Sequence, residues 1–324
     1  MPTYNPDHTF VDSTPREIWK AYRKGFPGAL VRPLEMKAFL ADNPYPLFEF
    51  AAPDLEGSGD GKAVVLFPYV LKHDPDAYKA AQKTGDCVSH GTRSAVDLSR
   101  VVEIELKGEA EGFYVRGDTT AIYGSRGHGG QGMSCAGAAR FVSQTGGILL
   151  RKDYTEEFGH DLSSYKGSYK LGMGWGRKGV PAKVVAEAKK HQVGAASLVS
   201  STREVMDALA NGYGLSVCSG YGFSSKRDEN GVSRRSGSWS HCMCIAGYDD
   251  TPAIRKKYGG PIFLIQNSWG KFNSGPKHLN QPDGSFWITE RDMRGMVKAR
   301  GTFVFSQIDG FPPQDLKSWG YNWG

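Results

Sequence analysis

The sequence predicts an α+β fold, with a helical half followed by an antiparallel sheet half. Segments with helical periodicity come first along the chain and strand-like segments come later. Forty-two glycines in 324 residues point to a loop-rich architecture rather than a helical bundle. A composition of 39% hydrophobic and 23% charged residues is that of a globular chain, long enough for one large domain or two packed lobes.

Residues 1–62 read as a Pro-rich N-terminal extension, because eight of the 17 prolines fall before Asp54. Thr14-Pro15-Arg16-Glu17 forms a capping-box pattern with proline in the first turn, so a short helix is predicted there and another over 34–42. The run EGSGDGK at 56–62 has the composition of a flexible joint. Residues 63–70 form a strand-like apolar segment, and 74–83 lead into the stretch GDCVSHGTRSAVDLSRVV at 85–102. There Val88, Gly91, Ala95, Leu98 and Val102 fall on one helical face, with Asp86 as the N-cap candidate. Cys87 at that helix start feels the positive end of the dipole, which favours thiolate; a buried structural cysteine is the alternative.

After an irregular or strand-like 113–122 comes a glycine-rich bend at 124–132, then a helix over 134–145 closed by Gly146-Gly147. Residues 167–179 read as loop. Helices are predicted at 181–191 and at 202–211, the latter with Thr202 as N-cap. A strand at 215–218 is followed by a polar 220–238 that reads as a surface loop, and strands are predicted at 242–248, 261–267 and 285–289. Residues 311–324 form an aromatic C-terminal tail, with Trp319 expected to dock.

The formal charge of +6 is modest and its basic clusters, Lys189–Lys190 and Arg234–Arg235, are short, so no nucleic-acid partner is expected. No apolar run reaches membrane-spanning length and the N-terminus has no secretory signal core, so no membrane partner is expected and the location is predicted to be cytoplasmic or intracellular, or virion-associated. Five cysteines, Cys87, Cys135, Cys218, Cys242 and Cys244, are an odd number over a long chain, and reduced thiols are expected.

His241 opens one strand pattern and Asn267 closes the next, so the two can meet at one edge of an antiparallel pair. Added to Cys87 at a helix start, they give the ingredients of a Cys-His-Asn site. In this order, and in the motifs Gly247-Tyr248 after His241 and Asn267-Ser268-Trp269-Gly270, the chain resembles the papain-like cysteine peptidases. Gly129 to Met133, residues 203–218 and residues 283–288 add weaker similarity, and the resemblance covers roughly residues 63–305.

The resemblance implies a papain-like two-lobed fold over 63–310, with a helical lobe at about 63–195, an antiparallel β-sheet or barrel lobe at about 196–310, and the active site in the cleft between them. It implies a hydrolase acting on a peptide or protein substrate. Cys87 would be the nucleophile, His241 the general base and then acid, and Asn267 the residue that orients the imidazole under Trp269. Gln82 and the Cys87 backbone N–H would meet the oxyanion. Gly130, Gly132 and Met133 would face substrate backbone, and Trp239, Cys242 and Trp269 would line the site.

Other readings compete. His90 would point about a turn away from Cys87 and reads as a surface or packing histidine, and His128 as a loop histidine. His241, Cys242 and Cys244 suggest zinc, but strand alternation separates them, and residues 228–234 lack calcium-loop spacing; no metal or cofactor is expected. The same thiol chemistry could serve peptidoglycan or isopeptide amides. Departures at Asp86, Val88 and Met133 motivate a non-catalytic assembly role, and residues 1–62 are expected either to cover the cleft or to bind an assembly partner.

Overall fold

The computed structural model describes residues 9–10, 12–79, 81–107, 114–314 and 316, so the expected docking of the tail around Trp319 lies outside the described residues. The N-terminal stretch forms α1 (Pro15–Arg23), β1 (Ala29–Leu30), α2 (Pro33–Asp42) and α3 (Phe48–Ala51). A helical lobe follows, entered by β2 (Ala63–Val65) and α4 (Phe67–His73). It contains α5 (Cys87–Lys107), α6 (Thr120–Gly124), β3 (Met133–Ser134), α7 (Cys135–Arg140), β4 (Asp153–Tyr154), α8 (Thr155–Phe158), β5 (His160–Asp161), α9 (Tyr165–Lys178) and α10 (Ala182–Ala188). The sheet lobe has β6 (Ala195–Leu198), α11 (Thr202–Ala210), β7 (Leu215–Arg227), β8 (Ser233–Asp249), α12 (Pro252–Tyr258), β9 (Ile262–Gln266), β10 (Phe286–Thr289), α13 (Glu290–Val297) and β11 (Thr302–Ser306).

The main sheet runs β10-β9-β8-β7-β11-β6, with β2 added to β8, and all its pairings are antiparallel. Helix α5 lies on it against β7, β8 and β11. Its small residues allow close approach: Ala95 and Leu98 sit against Gly214, where any side chain would collide with the Ala95 carbonyl. The face is less purely apolar than its periodicity suggests. Arg93 and Asp97 are buried as an i,i+4 pair at 3.0 Å, and Asp97 also accepts from the Gly117 N–H.

Several segments depart from the expectations. The polar 220–238 is not a surface loop but the tip of a long β7–β8 hairpin, pinned by Asp228, whose carboxylate accepts from Asn230 and Val232 N–H. Residues 167–179 lie largely in α9, because Ser164 caps it and Gly172 and Gly176 permit contact with Thr120 and Arg126. Only 63–65 of the strand-like 63–70 lies in a strand; Phe67 then starts α4, with Pro68 in its first turn. Ser201, not Thr202, caps α11. The 56–62 run is anchored: Gly57 and Gly59 N–H donate to Asp207, and Tyr248 donates to the Gly59 carbonyl. Cys135 and Cys218 form a disulfide rather than free thiols, because the start of α7 faces β7 with Cα atoms 6.5 Å apart. No helix among the described residues is long and apolar enough to cross a membrane.

Candidate active site

Cys87 opens α5 and is fully buried. Asp86 does not cap this helix as expected: its carboxylate accepts from Tyr165 Oη at 2.8 Å and lies 3.5 Å from His90 Nε2, leaving Oδ1 without a partner. The loop before Cys87 is held by Gln131, whose Oε1 accepts from Thr84 Oγ1 and the Gly85 N–H.

His241 lies inside β8 rather than at its start, opposite Ser219 at the edge of an irregularity in the β7–β8 register. Its Nε2 meets Asn267 Oδ1 at 2.9 Å, Asn267 following directly on β9. Trp269 stacks on the imidazole at 4.4 Å, and Trp239 meets it edge-on at 5.7 Å. The remaining nitrogen, Nδ1, is buried without a partner. The Cys87 sulfur sits at the Cys242 backbone N–H, the residue next to His241.

Gln82 is held from three sides. Its N–H donates to the Ser268 carbonyl, and its Oε1 accepts from Ser268 Oγ at 2.7 Å and from Trp269 Nε1 at 3.0 Å. That leaves Nε2 to donate at 2.9 Å to Tyr22 Oη, with a second bond to the Thr84 carbonyl. Tyr22 in turn lies beside the Cys87 sulfur, the two flanking Gly28, and meets the His241 ring at 4.8 Å. Cys87, His241 and Gln82 therefore all face one phenol from α1.

The chain after Tyr22 continues through the cleft. The Gly28 carbonyl accepts from Met133 N–H at 2.8 Å, and the Ala29 carbonyl from Ser240 Oγ at 2.6 Å. Strand β1 pairs in parallel with β3, Ala29 to Met133 and Leu30 to Ser134. A side chain at Gly28 would lie 2.7 Å from the Cys87 sulfur and would strike the Ser240 carbonyl, so only glycine passes there. At Gly132, where φ is +81°, a Cβ would come within 2.8 Å of the Gly28 carbonyl oxygen. A cavity of about 600 Å³ remains beside this strap, lined by Leu30, Cys135, Cys218, Gly220, Trp239 and Arg300 among others.

Of the other sequence candidates, Gly130 has its carbonyl held by Arg126 Nε at 3.0 Å, and Cys242 is fully buried with its sulfur turned toward Gly91. His90 is buried against Tyr165, and His128 lies in the glycine-rich bend. Sequence reasoning missed Tyr22, Gly28 and Gln131. A tyrosine on an amphipathic helix reads as core packing, and no local signal ties it to a cysteine 65 positions on.

Burial dominates the electrostatics. It pushes the Cys87 thiol up from 9.0 to about 12, against the opposing hydrogen bonds from Tyr22 and the Cys242 N–H. It pushes His241 down from 6.5 to about 3, although the Asn267 bond works the other way. Covered by Tyr22, the pair is a neutral thiol and a neutral imidazole.

A helix-borne cysteine in one lobe facing His and Asn from adjacent strands of the other is the architecture of the papain-like cysteine proteases, and the chain has that fold. It is similar to xylellain, a cysteine protease from Xylella fastidiosa, at 15% identity and a TM-score of 0.50, over 88% of this chain and 96% of that one. Procathepsin B S9 from Trypanosoma congolense aligns at 13% identity and 0.51, over 91% and 89%. The ragweed pollen cysteine protease Amb a 11 in its proform aligns at 14% and 0.50, over 92% and 78%. No protein-family model matches the chain, and no curated protein matches it in sequence.

Proposed function

We propose that the chain is a cysteine peptidase with Cys87 as nucleophile, His241 as general base and acid, and Asn267 as the residue orienting the imidazole. Residues 1–62 are an extension whose strap through the cleft holds the enzyme latent, and residues 63–310 are the peptidase domain. The carrying observation is convergence: the Gln82 amide donates to the Tyr22 oxygen, the Tyr22 side chain lies beside the Cys87 thiol, and His241 is fixed by Asn267 and Trp269. A carbonyl oxygen attacked by Cys87 would take the place of that phenol oxygen.

With Tyr22 withdrawn, water and substrate replace the ring, and transfer of the thiol proton to His241 becomes accessible. The thiolate adds to the scissile carbonyl, and Gln82 Nε2 with the Cys87 N–H stabilises the oxyanion. Protonated His241 then gives its proton to the leaving amine, and water attacks the thioester with His241 as base. The strap itself escapes cleavage because it runs parallel to β3 and presents Gly28 with no side chain to hold.

The test is a peptide-library digest by the full chain, its Tyr22→Ala variant and the Tyr22→Ala/Cys87→Ala double variant. Cleavage by Tyr22→Ala that disappears with Cys87→Ala is expected; equal, uncut libraries in all three would remove the peptidase reading.

A further inference from the structure

Three sulfurs meet beside the cleft cavity. Cys135 opens α7, Cys218 lies in β7, and Cys242 stands opposite Cys218 in the β7–β8 register. All three Sγ atoms lie within 4.8 Å of one another, and all three residues are buried. Cys135 and Cys218 are joined as a disulfide, while Cys242 is a free thiol. Gly91 leaves room for the Cys242 sulfur, since a side chain there would come within 2.8 Å of it. Strand alternation turns His241 to the opposite face, so this donor set is distinct from the His241–Asn267 pair.

We propose that, after reduction, Cys135, Cys218 and Cys242 form a thiolate site for a soft divalent cation of the zinc or cadmium type. A dithiol or phosphine reductant supplies two electrons, and two protons come from the reductant or from water. The Cys135–Cys218 bond breaks and three thiols remain. Binding of the cation then forms three metal–sulfur bonds and releases three protons to solvent.

The geometry fits such an ion. With metal–sulfur bonds of about 2.3 Å, three thiolates around one ion stand roughly 3.8–4.0 Å apart. All three sulfurs already lie within 4.8 Å of one another, so once the Cys135–Cys218 bond is broken small side-chain movements bring them to that spacing. Cys135 and Cys218 line the 600 Å³ cavity, which supplies an entry path and room for an exchangeable fourth ligand. Because α7 belongs to the helical lobe and β7 to the sheet lobe, the ion would tie the lobes together as the disulfide does.

The full chain carrying Cys87→Ala, which removes the cleft thiol as a competing ligand, is reduced with a phosphine and titrated with Cd²⁺. Thiolate-to-cadmium ultraviolet absorption reports binding. The reduced protein is expected to bind one ion tightly and to melt at a higher temperature with it, whereas the oxidised protein binds none at this site. Adding Cys242→Ala should weaken binding about 100-fold or more, and adding Cys244→Ala should change nothing. A reduced protein without a tight site, equal binding by the oxidised form, or an unchanged affinity in the Cys242→Ala protein would overturn the proposal. The comparison of redox states uses one polypeptide, so it decides the matter even where Cys242→Ala fails to fold.

Discussion

Tyr22 does two things with one hydroxyl: it takes up the Gln82 amide and it covers the thiol beside it. Its ring keeps water from Cys87 and His241, which is why both hold their neutral forms. Replacing Tyr22 with alanine opens a path to the sulfur and restores its hydration, so alkylation of Cys87 by iodoacetamide at neutral pH should accelerate at least about tenfold. A rate equal to that of the parent would mean that something else covers the thiol. On the proposed mechanism, Gln82→Ala in that uncovered background would remove an oxyanion donor and should lower kcat by about 100- to 1000-fold with KM little changed. Cys87, His241 and Asn267 could be singled out in the sequence because each stands beside a recognisable local signal, a helix start or an apolar strand. Asp86 departs from the expected N-cap role for a physical reason. Its spacing suits an N-cap, but Tyr165 and His90 compete for the carboxylate from elements distant in sequence, and no local pattern encodes that competition.

At the scale of elements, the strap is held by contacts to both lobes. Phe10 N–H donates to the Lys83 carbonyl, Trp19 Nε1 to the Phe223 carbonyl, and Asn43 Nδ2 to the Ala196 carbonyl. Helix α1 was legible because its capping box is local: Thr14 Oγ1 accepts from Glu17 N–H, and the Glu17 carboxylate accepts from Thr14 N–H. The β7–β8 hairpin was not, because glycine and serine signal loops unless cross-strand partners are known, and here Phe223 and Trp239 supply an apolar inner face. Helix α9 was missed likewise, since its glycines are spent on close approach to neighbouring elements. The legible cap gives a graded test. Losing an N-cap costs about 1 kcal/mol, and where that cost falls on the strapped state it should raise the open fraction about fivefold. Thr14→Ala should therefore speed Cys87 alkylation by about that factor, no more than half the effect of Tyr22→Ala. An effect as large as that of Tyr22→Ala would show that α1 as a whole, rather than the tyrosine, does the covering.

For the whole molecule, the proposed closing of the strap over the junction of the lobes would be a protonation-linked equilibrium whose sign follows from His241. Its pKa falls from 6.5 to about 3 on closure, so the closed state resists a proton that the open state accepts. In the parent chain the thiol complicates this, because an opened thiolate–imidazolium pair carries the same number of protons as the closed thiol–imidazole pair. Cys87→Ala removes that compensation. The groups facing His241 are Tyr22, held neutral with its pKa raised further, and the indoles of Trp239 and Trp269 and the amide of Asn267, which do not titrate; His90 contributes a like-charge repulsion. Above pH 6.5 opening of the Cys87→Ala chain should be independent of the His241 proton. As pH falls from 6.5 toward 3, opening should grow more favourable by up to about tenfold per pH unit, the slope of one proton, and level off below. The amide of Met133, bonded to the Gly28 carbonyl across β1–β3, reports the strap directly through its hydrogen-exchange protection factor. A pH-independent protection factor in Cys87→Ala, or a slope that survives the further change His241→Ala, would show that the histidine is not what couples the strap to acid.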